Sequence, residues 1–116
     1  MNARIFMLGS SLFVIATLAT PSSAQEVSEA KTLYDENCKK CHGVRGIPPK
    51  AMKTKFEKIV AFDAAFVGKH STDSIAKVLA RGKGEDMKPF KDKMTPQQLA
   101  LVAQYVHDLA VKKAGQ

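Results

Sequence analysis

The sequence predicts an all-α domain, and three features carry that prediction. Thr95, Pro96 and Gln98 mark a helix start, and an apolar stripe follows from Leu99 to Ala110. Ile75, Val78 and Leu79 recur at helical spacing ahead of Gly82. No segment carries the alternating signal of a half-buried strand, and there is no repeat or linker.

The elements follow in order. Residues Glu29 to Lys40 are expected to form the first helix, with Ser28 as N-cap and the acid Glu29 in its first turn. Leu33, Tyr34 and the Asn37–Cys38 pair then share one side. Gly43, Gly46, Pro48 and Pro49 interrupt regular structure. Phe56, Ile59, Val60, Phe66 and Val67 have partial helical spacing and predict one short helix. Ser71 or Thr72 caps a helix that runs through Arg81, turns Ile75, Val78 and Leu79 inward, and stops at Gly82. The segment from Gly84 to Phe90, rich in turn formers, is a loop. In the last helix Thr95 is the N-cap, Pro96 takes the first position and Gln98 completes a capping box. Leu99, Val102, Ala103, Val106, Leu109 and Ala110 form its buried face.

Ahead of these elements stands a segment of different character. Arg4 is followed by an apolar run from Ile5 to Leu18, and small residues sit at Ser22 and Ala24. That pattern predicts a signal peptide over residues 1–24, cleaved after Ala24. The run is shorter than the roughly 20 apolar residues a membrane span needs, and no later segment is long or apolar enough. The remaining domain, residues 25–116, sits near the small end of what buries its own core, where a covalent or metal staple is often required. The chain carries +7, and losing Arg4 with the signal leaves +6. A basic surface favours acidic partners. Secretion and the lack of a dense Lys/Arg block argue against nucleic acid.

Cys38 and Cys41 are the only cysteines, and in a secreted chain a disulfide is the default expectation. Their context points elsewhere. Cys38-Lys39-Lys40-Cys41-His42 is the C-x-x-C-H pattern of c-type haem attachment. Two thiols three positions apart on a helical turn can each add to a haem vinyl group, and the next residue offers an imidazole to the iron. A thioredoxin-type pair would need a βαβ setting, and a zinc site would need four ligands at short spacing. His70 and His107 are too isolated to complete one.

A second axial ligand has to come from Met52, Met87, Met94, His70 or His107. Met87 is favoured, because it lies in a turn-rich loop with little core to fill. Met94, just before the last helix, reads as a flexible apolar side chain for packing, and Met52 as gap filler.

The chain resembles the small bacterial monohaem type of class I cytochrome c over its mature length. Ala30 to Tyr34 resembles that family's first helix, and Cys38, Cys41 and His42 match its attachment motif. Met87, Pro89 and Phe90 resemble its methionine loop, and Leu99 to Leu109 its last helix. The family commonly has proline directly after the methionine, where Lys88 stands here. The resemblance implies N- and C-terminal helices that cross near Leu33 and Tyr34 and pack around one covalent haem c. It implies metal ligation by His42 and Met87, with cofactor binding by Cys38, Cys41, His42 and Met87. It also implies that Pro48 or Pro49 accepts the His42 N–H.

The function expected is a periplasmic electron carrier and not an enzyme. Lys39, Lys40, Lys88, Lys91 and Lys93 are expected to steer acidic redox proteins toward the haem edge. Two alternatives stand beside it. One is the haem subunit of a larger periplasmic oxidoreductase, with a catalytic subunit as partner. The other is a ligand-binding or sensing haem protein with an open distal site.

Overall fold

The computed structural model describes Ala16 and residues 18–115. Most of the predicted signal segment therefore lies outside the described residues. Six helices follow one another: α1 Ser23–Asn37, α2 Lys39–His42, α3 Lys50–Lys55, α4 Ala64–Val67, α5 Thr72–Arg81 and α6 Pro96–Ala114. Among the described residues the only β pairing is an isolated bridge between Lys83 and Met87. No described helix is long and apolar enough to cross a membrane.

The sequence reading placed the first helix too late and carried it too far. α1 begins at Ser23, capped by the Ser22 hydroxyl accepting from the Gln25 N–H, and Ser28 lies within it. It ends at Asn37, because Cys38 leaves helical geometry at φ −121°, and a new turn, α2, starts at Lys39. The single helix expected from Phe56 to Val67 is also absent. Two short ones replace it, α3 before Phe56 and α4 after Asp63, whose carboxylate accepts from the Phe66 N–H at 3.0 Å. Apolar spacing alone does not separate a helical stripe from a loop that turns its side chains inward one by one.

The later elements match their sequence signals. Ser71 caps α5 and Gly82 ends it, and Ile75 and Leu79 are buried as expected, whereas Val78 is only partly buried and stays outside the core. Thr95 and Gln98 exchange the two bonds of a capping box at 3.0 and 3.2 Å. The α6 stripe then buries Leu99, Val102, Ala103, Val106 and Ala110 against α5 and α1. Tyr34 and Tyr105 meet at the α1–α6 crossing, their ring centroids 5.2 Å apart. Gln98 also donates to Glu29 at 3.0 Å across the same pair.

Tyr34 is fully buried, and its hydroxyl donates to the Gly43 carbonyl at 2.7 Å. Burial pushes its ionisation well above the usual phenol range, so it remains a donor. The bond ties the turn after His42 to α1. Tyr34→Phe is expected to cost about 1–3 kcal/mol, because the carbonyl is left buried without its donor. A denaturant titration that finds no loss would remove this tie from the account.

Candidate functional site

The C-x-x-C-H residues stand on a turn built by Cys38. Its N–H donates to Tyr34 O at 2.8 Å, closing α1, while its carbonyl accepts from the N–H groups of Cys41 (3.1 Å) and His42 (2.9 Å). Gly43 then stops α2 at φ +78°. A side chain there would put its Cβ 2.0 Å from the Ile47 carbonyl oxygen, so only glycine lets the chain fold back so closely. Cys38 is buried, Cys41 is partly buried, and both are free thiols. Burial, with a smaller contribution from Cys41, pushes the Cys38 thiol up to about 11, so the protonated form dominates.

The His42 ring stacks on Phe62, with centroids 4.8 Å apart and planes 17° from parallel. Burial holds its pKa below the usual imidazole value; the Val60 backbone opposes this weakly without completing a hydrogen bond. The ring is therefore neutral near pH 7, the form that ligates metals. Its buried Nδ1 has no hydrogen-bond partner. The bond expected from Pro48 or Pro49 is not made. The Pro49 carbonyl instead serves α3, accepting from Met52 N at 2.9 Å and Lys53 N at 3.1 Å.

Met87 lies on the loop between α5 and α6, where backbone bonds fix its position. Lys83 N–H donates to Met87 O at 2.8 Å, and Phe90 N–H donates to Leu79 O at 2.9 Å. Gly82, at φ +74°, lies under this loop; a Cβ would sit 2.4 Å from Met87 O and 2.7 Å from Pro89 N. The Met87 side chain is partly buried and packs on the central core, as does Phe90. Met94 is different: it is 5 % exposed and belongs to the core itself. Met52 stands on α3, outside that cluster.

His70 packs against Phe66 at 4.7 Å, and His107 lies within 3.9 Å of Asp108 on α6. Among the described residues no three His, Cys, Asp or Glu side chains converge on a metal position.

Three of the four predicted positions border one apolar body, and Cys41 follows on the same turn. Cys38 and Phe62, the ring beneath His42, belong to the core, and Met87 packs on it. A cavity of about 470 Å³ opens beside the Met87 loop, lined among others by His70, Val78, Gly82 and Gly84. It does not reach Cys38, Cys41, His42 or Met87 themselves. Two free thiols, a neutral imidazole and a thioether suit a covalently held haem, and the donor chemistry suits no hard cation. Sequence reasoning missed three contributors: the Phe62 stack, the Tyr34–Gly43 bond and the Gly82 seat. Only the last had a signal, a glycine that read simply as a helix stop.

Residues 25–106 match the family described as "Cytochrome C oxidase, cbb3-type, subunit III". Cytochrome c6 of Nostoc sp. strain PCC 7120 is 30% identical over 102 residues, spanning 88% of this chain and 86% of the relative. A cytochrome c6-like protein of the same organism is 26% identical over 101 residues, 87% of this chain and 86% of the relative. The structure of the KustC0563 c-type cytochrome superposes with a TM-score of 0.63 at 32% identity, covering 70% of this chain and 96% of that one. The chain belongs to this cytochrome c family and is a small class I c-type cytochrome, with one covalently bound haem, that takes part in electron transfer.

Proposed function

We propose that residues 25–116 form a periplasmic carrier of single electrons, exported by a signal peptide over residues 1–24, with its iron held between His42 and Met87. Cys38 and Cys41 are the thioether positions. The observation that carries this reading is a single turn bearing two free thiols and a neutral imidazole, set against the core on which Met87 packs. The family match begins at residue 25, which supports a domain boundary after Ala24. Cleavage there would remove the Ser22 cap and start the mature chain inside α1.

When bound, haem supplies an iron that changes by one electron between ferric and ferrous. The residues of the chain set the terms of that exchange. Phe62 fixes the plane of the His42 ring, and burial keeps the imidazole unprotonated. The Met87 thioether, a soft ligand, favours the ferrous state relative to a second histidine. His42 and Met87 would together hold the iron and leave it no open position for a substrate, which favours a carrier over an enzyme.

The test is the pigment itself. Acid–acetone treatment of the purified protein is expected to leave the colour on the polypeptide, with a low-spin ferric spectrum and a far-red methionine–iron band. Extractable pigment would overturn the attachment, and high-spin iron that binds carbon monoxide readily would favour the open-site alternative. The matched family is described by an oxidase subunit, and this favours a second reading, the haem subunit of a larger periplasmic oxidoreductase. Stoichiometric co-purification with a catalytic chain would decide for it.

Reduction by an acidic redox protein is expected to slow about tenfold or more from low to high ionic strength, as steering by surface lysines is screened. Stopped-flow rates independent of salt would rule out steering.

A further inference from the structure

The lysines singled out by sequence do not lie where the local net positive charge is highest. Lys39 approaches Asp35 at 3.8 Å, a carboxylate that Lys31 also pairs with. Lys83, Lys88, Lys91 and Lys93 share residues 83–93 with Glu85, Asp86 and Asp92, all exposed, so that segment nets only +1. The stretch from Gly43 to Phe62 is unlike either. It holds Arg45, Lys50, Lys53, Lys55 and Lys58 against the single acid Glu57, a net of +4. All five cations are exposed, and none has an ion-pair partner among the described residues.

The shape of this segment gathers the charge. Phe62 N–H donates to Gly46 O at 2.8 Å, so residues 47–61 form a loop closed at its neck, with α3 at its far side. Compact loops of this kind are frequently functional. The neck is tight: a Cβ on Gly46 would lie 2.8 Å from the Phe62 ring. Phe62 in turn stacks on His42. Val44 and Val60, 65 % and 44 % exposed, flank the neck as apolar contact points. Cations around a small apolar centre are what a short-lived protein complex uses: charge for encounter, apolar area for contact.

We infer that this loop and its neck, from Arg45 to Lys58, are the docking surface for the acidic face of a redox-partner protein, in place of the lysines around Met87. The inference rests on the proposed carrier function and names the side of the molecule it uses. A partner seated here lies against the loop whose neck touches His42. Electron exchange then needs no rearrangement of the Met87 loop.

Two holoprotein variants with equal loss of charge test it: Lys50→Gln, Lys53→Gln, Lys58→Gln together, and Lys88→Gln, Lys91→Gln, Lys93→Gln together. The probe is poly-L-glutamate, followed by amide NMR shifts at low salt, which reads binding without any electron transfer. In the parent protein the shifts are expected to centre on residues 44–62. The first variant should lose affinity about tenfold or more and the second less than twofold. Equal losses would overturn the inference, since total charge would then suffice. Vesicles of phosphatidylglycerol that bind the parent at concentrations where poly-L-glutamate does not would overturn it in favour of a lipid surface. Axial ligation is read separately from the visible spectrum, so a failed carrier assignment is distinguished from a misplaced docking face.

Discussion

Met87→Ala is expected to erase the far-red methionine–iron band and to lower the reduction potential, while leaving the colour covalently attached. The thioether is the group proposed to favour ferrous iron, and axial ligands command a span of roughly 0.8 V across haem proteins. Met87 is only partly buried, so truncation removes little core, and thermal stability should fall mainly through the lost ligand. Met94→Ala gives the opposite pattern. That side chain lies in the core between α5 and α6, and its loss should cost about 2–5 kcal/mol with the band retained. Redox titration and denaturation of both variants separate the roles. A band that survives Met87→Ala and disappears in Met94→Ala would reverse the assignment.

Gly82→Ala is expected to displace the Met87 loop and to cost stability at the same time. The position has φ +74°, which costs an L-residue about 1–2 kcal/mol before any contact is counted. The added Cβ would also meet Met87 O at 2.4 Å and Pro89 N at 2.7 Å, both backbone atoms that cannot swing away. The loop must move, and Met87 moves with it. Gly84→Ala is the control: its φ is +64°, but no atom lies within 4 Å of the added carbon. It should show the conformational cost alone, about 1–2 kcal/mol, with a normal spectrum. If Gly82→Ala also kept both the methionine band and near-parent stability, the loop would not be seated on Gly82.

Much of the chain's net positive charge resides in the twenty residues that follow the C-x-x-C-H turn, while residues 83–93 are almost balanced. Counting lysines without their neighbouring acids misplaces the field, because opposite charges within a Debye length cancel at a distance.

The sequence by itself determined the all-helical class, the two best-punctuated helices and the place of the C-x-x-C-H turn. These are local matters. A capping box involves residues three apart, an apolar stripe repeats within one helix, and C-x-x-C-H is five consecutive residues. Only the tertiary structure decided where α1 gives way at Cys38, how 47–61 closes into a loop, and what supports His42. Phe62 is twenty residues from His42, and Tyr34 reaches Gly43 across a helix end. Such contacts depend on backbone geometry at Cys38, Gly43 and Gly46 that no periodicity encodes. Met94 and Met87 are chemically the same side chain. Burial at one position and a glycine-seated loop at the other set them apart, and both are properties of packing.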